Sequence, residues 1–169
     1  MNRIIIVIAL IVVTMSIDYT LSIAQSSPTC GGLAATIVGT SGNDRLNGTE
    51  GDDVIVGLAG NDVIDGNGGD DIICGGGGND VIRGDIGKDK IWGNGGDDRI
   101  LGGGHNDKIR AGSGNDGIYG EHGDDKLWGA SGDDGLGCGA GNDTAVGGTG
   151  TDTVIDAVPS DCETVSGVP

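Results

Sequence analysis

From residue 39 to residue 155 one arrangement of apolar and polar positions recurs every nine residues, with no insertion or deletion. The eighth position of each block is aliphatic: Leu46, Ile55, Ile64, Ile73, Ile82, Ile91, Ile100, Ile109, Ile118, Leu127, Leu136, Ala145 and Val154. Two residues earlier, the sixth position is always aspartate: Asp44, Asp53, Asp62, Asp71, Asp80, Asp89, Asp98, Asp107, Asp116, Asp125, Asp134, Asp143 and Asp152. The blocks read as a glycine-rich turn of six residues followed by a three-residue strand. Alternation along that strand sends the eighth residue to one face and its neighbours to the other. The seventh and ninth positions carry Arg45, Arg83, Lys90, Trp92, Arg99, Lys108, Arg110 and Lys126, which suits an outward face. A single block cannot bury its aliphatic residue alone, so the blocks must stack on one another.

The block Gly75 to Arg83 reads G-G-G-G-N-D-V-I-R. It fits, position for position, the calcium-binding consensus G-G-x-G-x-D-x-U-x, where U is a large aliphatic. With thirteen such blocks in register over about two thirds of its length, the chain resembles the RTX family of haemolysin-type calcium-binding repeat proteins. The resemblance implies an all-β parallel β-roll, a β-helix-like solenoid in which two nonapeptides make one coil and stacked turns share calcium. Thirteen turns then split seven and six, which leaves room for roughly eleven Ca2+ ions between turns. All thirteen sixth-position aspartates are expected as ligands. Calcium takes six to eight oxygens, mixing carboxylates with backbone carbonyls, and a carboxylate at every turn beside exposed carbonyls supplies both. Glycine at the first and fourth positions is expected to let the turn visit φ > 0. Asparagine or aspartate at the fifth position, as in Asn43, Asp52 and Asn61, is expected as a turn former.

Composition sharpens this picture. The 169 residues include 38 glycines, no phenylalanine and two tryptophans, with a formal charge of -17. One aliphatic residue in nine is too little to offset the ordering of so much glycine, and crowded carboxylates repel one another. The chain without metal is therefore expected to be unfolded and calcium to act as its folding switch. The negative charge argues against nucleic acid as a partner. No nucleophile with a placed base, no H-E-x-x-H and no phosphate loop is present, so the protein is expected not to be an enzyme. Toxin or protease activities of proteins that resemble this repeat region are not carried over.

The ends are read separately. Arg3, the ten-residue apolar run Ile4 to Val13 and small residues before Gln25 suggest a secretory signal over 1–24, and the run is too short for a membrane span. Residues 25–38 form a lead-in whose Thr36-Ile37-Val38 is expected to cover one end of the 39–155 roll, with 156–169 closing the other. Four cysteines, Cys30, Cys74, Cys138 and Cys162, agree with export. Stacked coils advance about 4.8 Å each, so the two ends lie too far apart to be bridged, and Cys30 with Cys74 and Cys138 with Cys162 is the preferred pairing. His105 replaces a fourth-position glycine, Ala111 and Cys138 replace first-position ones, and Lys88 brings a cation beside Asp89. Trp92 and Trp128 share one outer face, where surface glycans or other extracellular proteins are the candidate partners besides calcium.

Overall fold

Successive nonapeptides deliver their strands alternately to two parallel sheets, in a computed structural model that describes residues 27–155 and 162–165. The expected signal segment, the first two lead-in residues and positions 156–161 and 166–169 of the tail lie outside the described residues. In chain order the strands are β1 (Thr29–Cys30), β2 (Leu33–Ala34), β3 (Ile37–Val38), β4 (Arg45–Asn47), β5 (Val54–Ala59), β6 (Val63–Asp65), β7 (Ile72–Gly77) and β8 (Val81–Ile86). They continue as β9 (Lys90–Gly95), β10 (Arg99–Gly104), β11 (Lys108–Ser113), β12 (Gly117–His122), β13 (Lys126–Ser131), β14 (Gly135–Ala140), β15 (Asp143–Thr149), β16 (Thr153–Val154) and β17 (Cys162–Val165). The even-numbered strands β4 to β16 form a seven-stranded sheet, and the odd-numbered strands β3 to β17 form an eight-stranded one. Among the described residues there is no helix long and apolar enough to cross a membrane.

Register is strict because a one-residue slip would turn the aliphatic row outward. Ile55, Ile73, Ile91, Ile109, Leu127 and Ala145 stack in one sheet, and Leu46, Ile64, Ile82, Ile100, Ile118 and Leu136 in the other. The two rows face each other and form the core, closed to solvent from Ile55 to Ala145. At the ends Leu46 is only partly buried and Val154 is exposed. Each fully buried aliphatic contributes about 1.5 to 3 kcal/mol.

The central strands are six residues long, twice the expected length. They run past the ninth position into the first three residues of the next block, as in the pairing of Gly103 and Gly104 with Asp85 and Ile86. Identical coils stacked on one another pair even at the corner, so the ladder continues where an isolated strand would stop.

Left-handed backbone falls at the second and fourth positions, not the first. Leu58, Asn67, Asp85, Asn94, Glu121 and Ala130 occupy second positions with φ between 68° and 83°. The first-position glycine serves a different purpose, because it clears space. A β-carbon on Gly102 would lie 2.5 Å from Asp107 Oδ2 and 2.8 Å from the carbonyl oxygen of Gly120 in the next coil.

Two disulfides tie the ends to the roll. Cys30, in the β1–β2 hairpin, is bonded to Cys74 in the eight-stranded sheet. Cys138 in β14 is bonded to Cys162 in β17, and the Cα atoms of each pair are 5.8 Å apart. β3 and β17 extend the eight-stranded sheet at its two ends by pairing with β5 and β15.

Candidate metal centre

The sixth-position aspartates stand just before the strands, at the two edges of the roll where coil stacks on coil. Asp53 to Asp143 are all buried, no more than 7% exposed. One oxygen of each has a protein partner. The amide of Asp44 donates to Asp62 Oδ1 at 2.8 Å, that of Asp62 to Asp80 Oδ1 at 2.8 Å, and that of Asp98 to Asp116 Oδ1 at 2.7 Å. The opposite edge repeats this from Asp53 to Asp71 Oδ1 at 2.8 Å and onward to Asp143. Every such carboxylate therefore reaches back to the coil before it.

The second oxygen is different. Oδ2 of Asp62, Asp71, Asp80, Asp89, Asp98, Asp107, Asp116, Asp125 and Asp134 is shut off from solvent and accepts no hydrogen bond. A buried anion without a partner is among the costliest arrangements a fold can hold. The same oxygens lie beside the first-position α-carbon of their own block and the first-position carbonyl of the next coil, as at Gly102 with Asp107 and Gly120. Two oxygens of opposite kinds thus converge on a space that the first-position glycine leaves open in most blocks. Hard cations prefer such a mixed carboxylate and carbonyl set, so the residues fit calcium.

The titration of these groups carries the same message. Burial, offset in part by the inter-coil amide and reinforced by neighbouring aspartates, pushes Asp107 up to about 8 and Asp71 and Asp98 up to about 7. Asp80, Asp89, Asp116 and Asp125 rise to about 6, mainly through burial. Without a cation the site favours protons over bare charge.

The first two blocks break the pattern. Thr40 donates its amide to Asp44 Oδ2 at 2.6 Å and its hydroxyl at 2.9 Å. Thr49 does the same to Asp53 Oδ2 at 2.7 and 2.8 Å. Burial raises Asp53, but the hydrogen bonds from Thr49, with one from Thr36, outweigh it and hold the carboxyl below its ordinary value. These two turns already satisfy their carboxylates.

Three further placements differ from expectation. The fifth-position side chains do more than shape turns. They form a ladder of opposite sense, in which Asn43 Oδ1 accepts from the amide of Asn61, Asn61 from Asn79, Asn79 from Asp97 and Asp97 from Asn115, all at 2.8 to 2.9 Å. On the other edge Asp70 accepts from the amide of Lys88 at 2.9 Å. Lys88 has no oxygen to pass the ladder on, and it resumes from Asn106 to Asp124. The positive group that favours ionised Asp89 is His105 rather than the adjacent Lys88, which is exposed. Finally, among the described residues no group of three or more His, Cys, Asp and Glu side chains converges on a point. Each turn offers one buried sixth-position carboxylate and its carbonyls, and the array arises by repetition.

Comparison with the curated proteins finds no match. The RTX calcium-binding nonapeptide repeat matches residues 31–64, 38–73, 47–82, 74–107, 101–136 and 139–155. These segments run through nearly all of the roll, and the geometry they cover is a parallel solenoid with one aspartate per turn. The chain belongs to the RTX calcium-binding nonapeptide repeat family.

Proposed function

We propose that the protein is a secreted calcium-binding β-roll whose order is controlled by external calcium and whose role is structural or interactive. The observation that carries this reading is the row of buried Oδ2 atoms from Asp62 to Asp134 that accept no hydrogen bond. Cations held between coils would neutralise these oxygens and engage the carbonyls beside them. The threonine-closed turns at Asp44 and Asp53 need no such ion, so the first site on each edge drops out and roughly nine of roughly eleven remain.

Binding to the folded chain alone stabilises it by mass action. A site filled at tenfold over its dissociation constant contributes about 1.4 kcal/mol, and the contributions add over the array. Extracellular calcium modules bind at about 0.1 to 1 mM, which would leave such a chain open inside a cell and closed outside. Two disulfides support an oxidising destination, as does the apolar run at Ile4 to Val13.

Far-UV circular dichroism during a calcium titration of chelated protein tests the reading. A cooperative gain of strand signal is expected with calcium and little response with magnesium, which dehydrates reluctantly and demands a tighter octahedral site. Chelated protein as compact and protease-resistant as the loaded form would refute it.

A second reading, a calcium-dependent carbohydrate-binding or adhesion module, is favoured by a specific feature: the tryptophans and cations gathered on the outside of the eight-stranded sheet.

A further inference from the structure

The outer face of the eight-stranded sheet segregates charge in a way the rest of the molecule does not. Between β5 and β15 its outward seventh and ninth positions are Val54, Val56, Ile72, Cys74, Lys90, Trp92, Lys108, Arg110, Lys126, Trp128, Thr144 and Val146. None is acidic in a chain with 26 aspartates and glutamates, and four of its nine lysines and arginines are here. Lys90 pairs in register with Lys108, and Lys108 with Lys126. Like charges directly opposite one another on adjacent strands are destabilising, so this row opposes the fold.

Beside the lysines, Trp92 is in register with Arg110 and Arg110 with Trp128. The two half-buried indoles stand two strands apart, roughly 9.6 Å, with Arg110 on the strand between them. Together with Lys90 and Lys108 they line a groove of about 220 Å³. The N-terminal hairpin lies against Trp92, since a β-carbon on Gly31 would lie 3.3 Å from its ring. The Cys30–Cys74 bridge holds that hairpin in place.

We propose that this face binds a linear polyuronate, an acidic polysaccharide carrying one carboxylate per sugar. The chain would lie across the strands, with sugar rings against Trp92 and Trp128 and carboxylates on Lys90, Lys108, Lys126 and Arg110. Indole faces favour the apolar face of a sugar ring, and a cation on each successive strand suits a polymer with evenly spaced charge. A strand of nucleic acid would also offer rings and anions, and a thymidine oligonucleotide is therefore one of the competing probes in the test. The proposal rests on the calcium-folded roll, because only that fold brings these residues into register.

The test uses the disulfide-bonded chain in calcium, with circular dichroism recorded on each sample. Hexagalacturonate is titrated while tryptophan fluorescence is followed, and both tryptophans of the chain report from the groove. Maltohexaose, a heparin hexasaccharide and a thymidine oligonucleotide are titrated in parallel. Saturable binding of hexagalacturonate, weakened by salt and absent with maltohexaose, is expected. Lys108→Gln and Arg110→Gln are each expected to weaken it on the order of tenfold without raising the calcium midpoint, since relief of the like-charge row favours the fold. Trp128→Ala should abolish the fluorescence response, and Trp128→Phe should retain binding if Trp128→Ala fails to fold.

Tighter binding of the sulfated or nucleic acid probe, equal binding of maltohexaose, or indifference to both charge variants would overturn the proposal. So would a folded spectrum with no binding. A spectrum that stays unordered in calcium would instead overturn the folding reading, and the surface with it.

Discussion

The turns at Thr40 and Thr49 close on their own aspartates, whereas those from Asp62 to Asp134 leave theirs open. In the first pair a threonine at the second position donates both amide and hydroxyl to Oδ2. From Leu58 onward the second position takes a left-handed conformation in nearly every block, filled either by glycine or by Leu58, Asn67, Asp85, Asn94, Glu121 and Ala130. The amide then no longer reaches the carboxylate, and Oδ2 is stranded. A β-branched residue resists φ > 0, so Thr40 and Thr49 enforce the closed form. One consensus therefore builds two kinds of turn: a self-satisfied starter on each edge, and an open turn that waits for a cation. On the proposed calcium-dependent folding, such a starter beside the Cys30–Cys74 bridge would give further coils a nucleus on which to stack.

The strongest break of this comparison is acid. The central carboxyls have raised values in the folded chain, so their contribution is fully present below the unfolded value near 4. It is lost as pH rises through about 6 to 8. Chelated protein is therefore expected to gain strand structure as pH falls from about 8 to about 5. Asp53, held low by Thr49, has the opposite sign: its contribution is present above the unfolded value and fades only below it. Circular dichroism against pH in chelator checks this. In calcium the same acidification should raise the calcium midpoint, because protons compete for the ligands.

A pair of isosteric variants separates the two turn types. Asp107→Asn removes a charge whose Oδ2 accepts no hydrogen bond and puts a donor beside the Gly120 carbonyl. It should stabilise the chelated chain while raising the calcium midpoint several-fold, by about 2 kcal/mol at the affected site. Asp53→Asn turns a donor toward the Thr49 amide and hydroxyl and should destabilise the chain with or without calcium, by about 1 to 3 kcal/mol. Denaturant titrations in calcium and in chelator read both. Equal signs for the two variants would erase the distinction between starter and open turns.

Much of this was legible before any coordinates. The aliphatic row marks the core residue of each block from Ile55 to Ala145, and the resemblance to the RTX repeats implies the alternation between sheets. The four cysteines pair as the length of the stack requires. Three features were not legible, for separate reasons. The first-position glycine looks like a torsional requirement, yet what crowds it is its own block's aspartate and a carbonyl eighteen residues away in the next coil. The fifth-position ladder joins residues eighteen apart whose side chains are common in any turn. The threonine staple had a signal that a consensus reading passes over. A β-branched residue where φ > 0 is the rule should have marked Thr40 and Thr49 as a different conformation.

Those threonines give a smaller and more local test. Thr49→Val keeps the β-branched shape and the amide donor but deletes the hydroxyl that Asp53 Oδ2 accepts at 2.8 Å. A loss of about 1 to 1.5 kcal/mol is expected, the same in calcium and in chelator if no ion visits that turn. A loss that calcium repairs would mean that the starter turn becomes an open one when its staple is cut.

The smallest expected effect lies in the open turns and concerns strain rather than charge. His105 sits at a fourth position with φ 80, where the neighbouring coils on its edge carry Gly87 (φ 147) and Gly123 (φ 136). A side chain there costs roughly 1 kcal/mol relative to glycine, and its imidazole makes only a local contact with the Gly104 carbonyl at 2.9 Å. His105 also lends positive charge to Asp89. His105→Gly should therefore raise stability in calcium by up to about 1 kcal/mol, measured by denaturant titration. The positive charge that His105 lends to Asp89 favours the bare carboxylate and works against a bound cation, so the variant should also lower the calcium midpoint slightly. His105→Asn, which is neutral and tolerates φ > 0, should lower the midpoint as well, and an unchanged midpoint there would assign the whole effect to backbone strain.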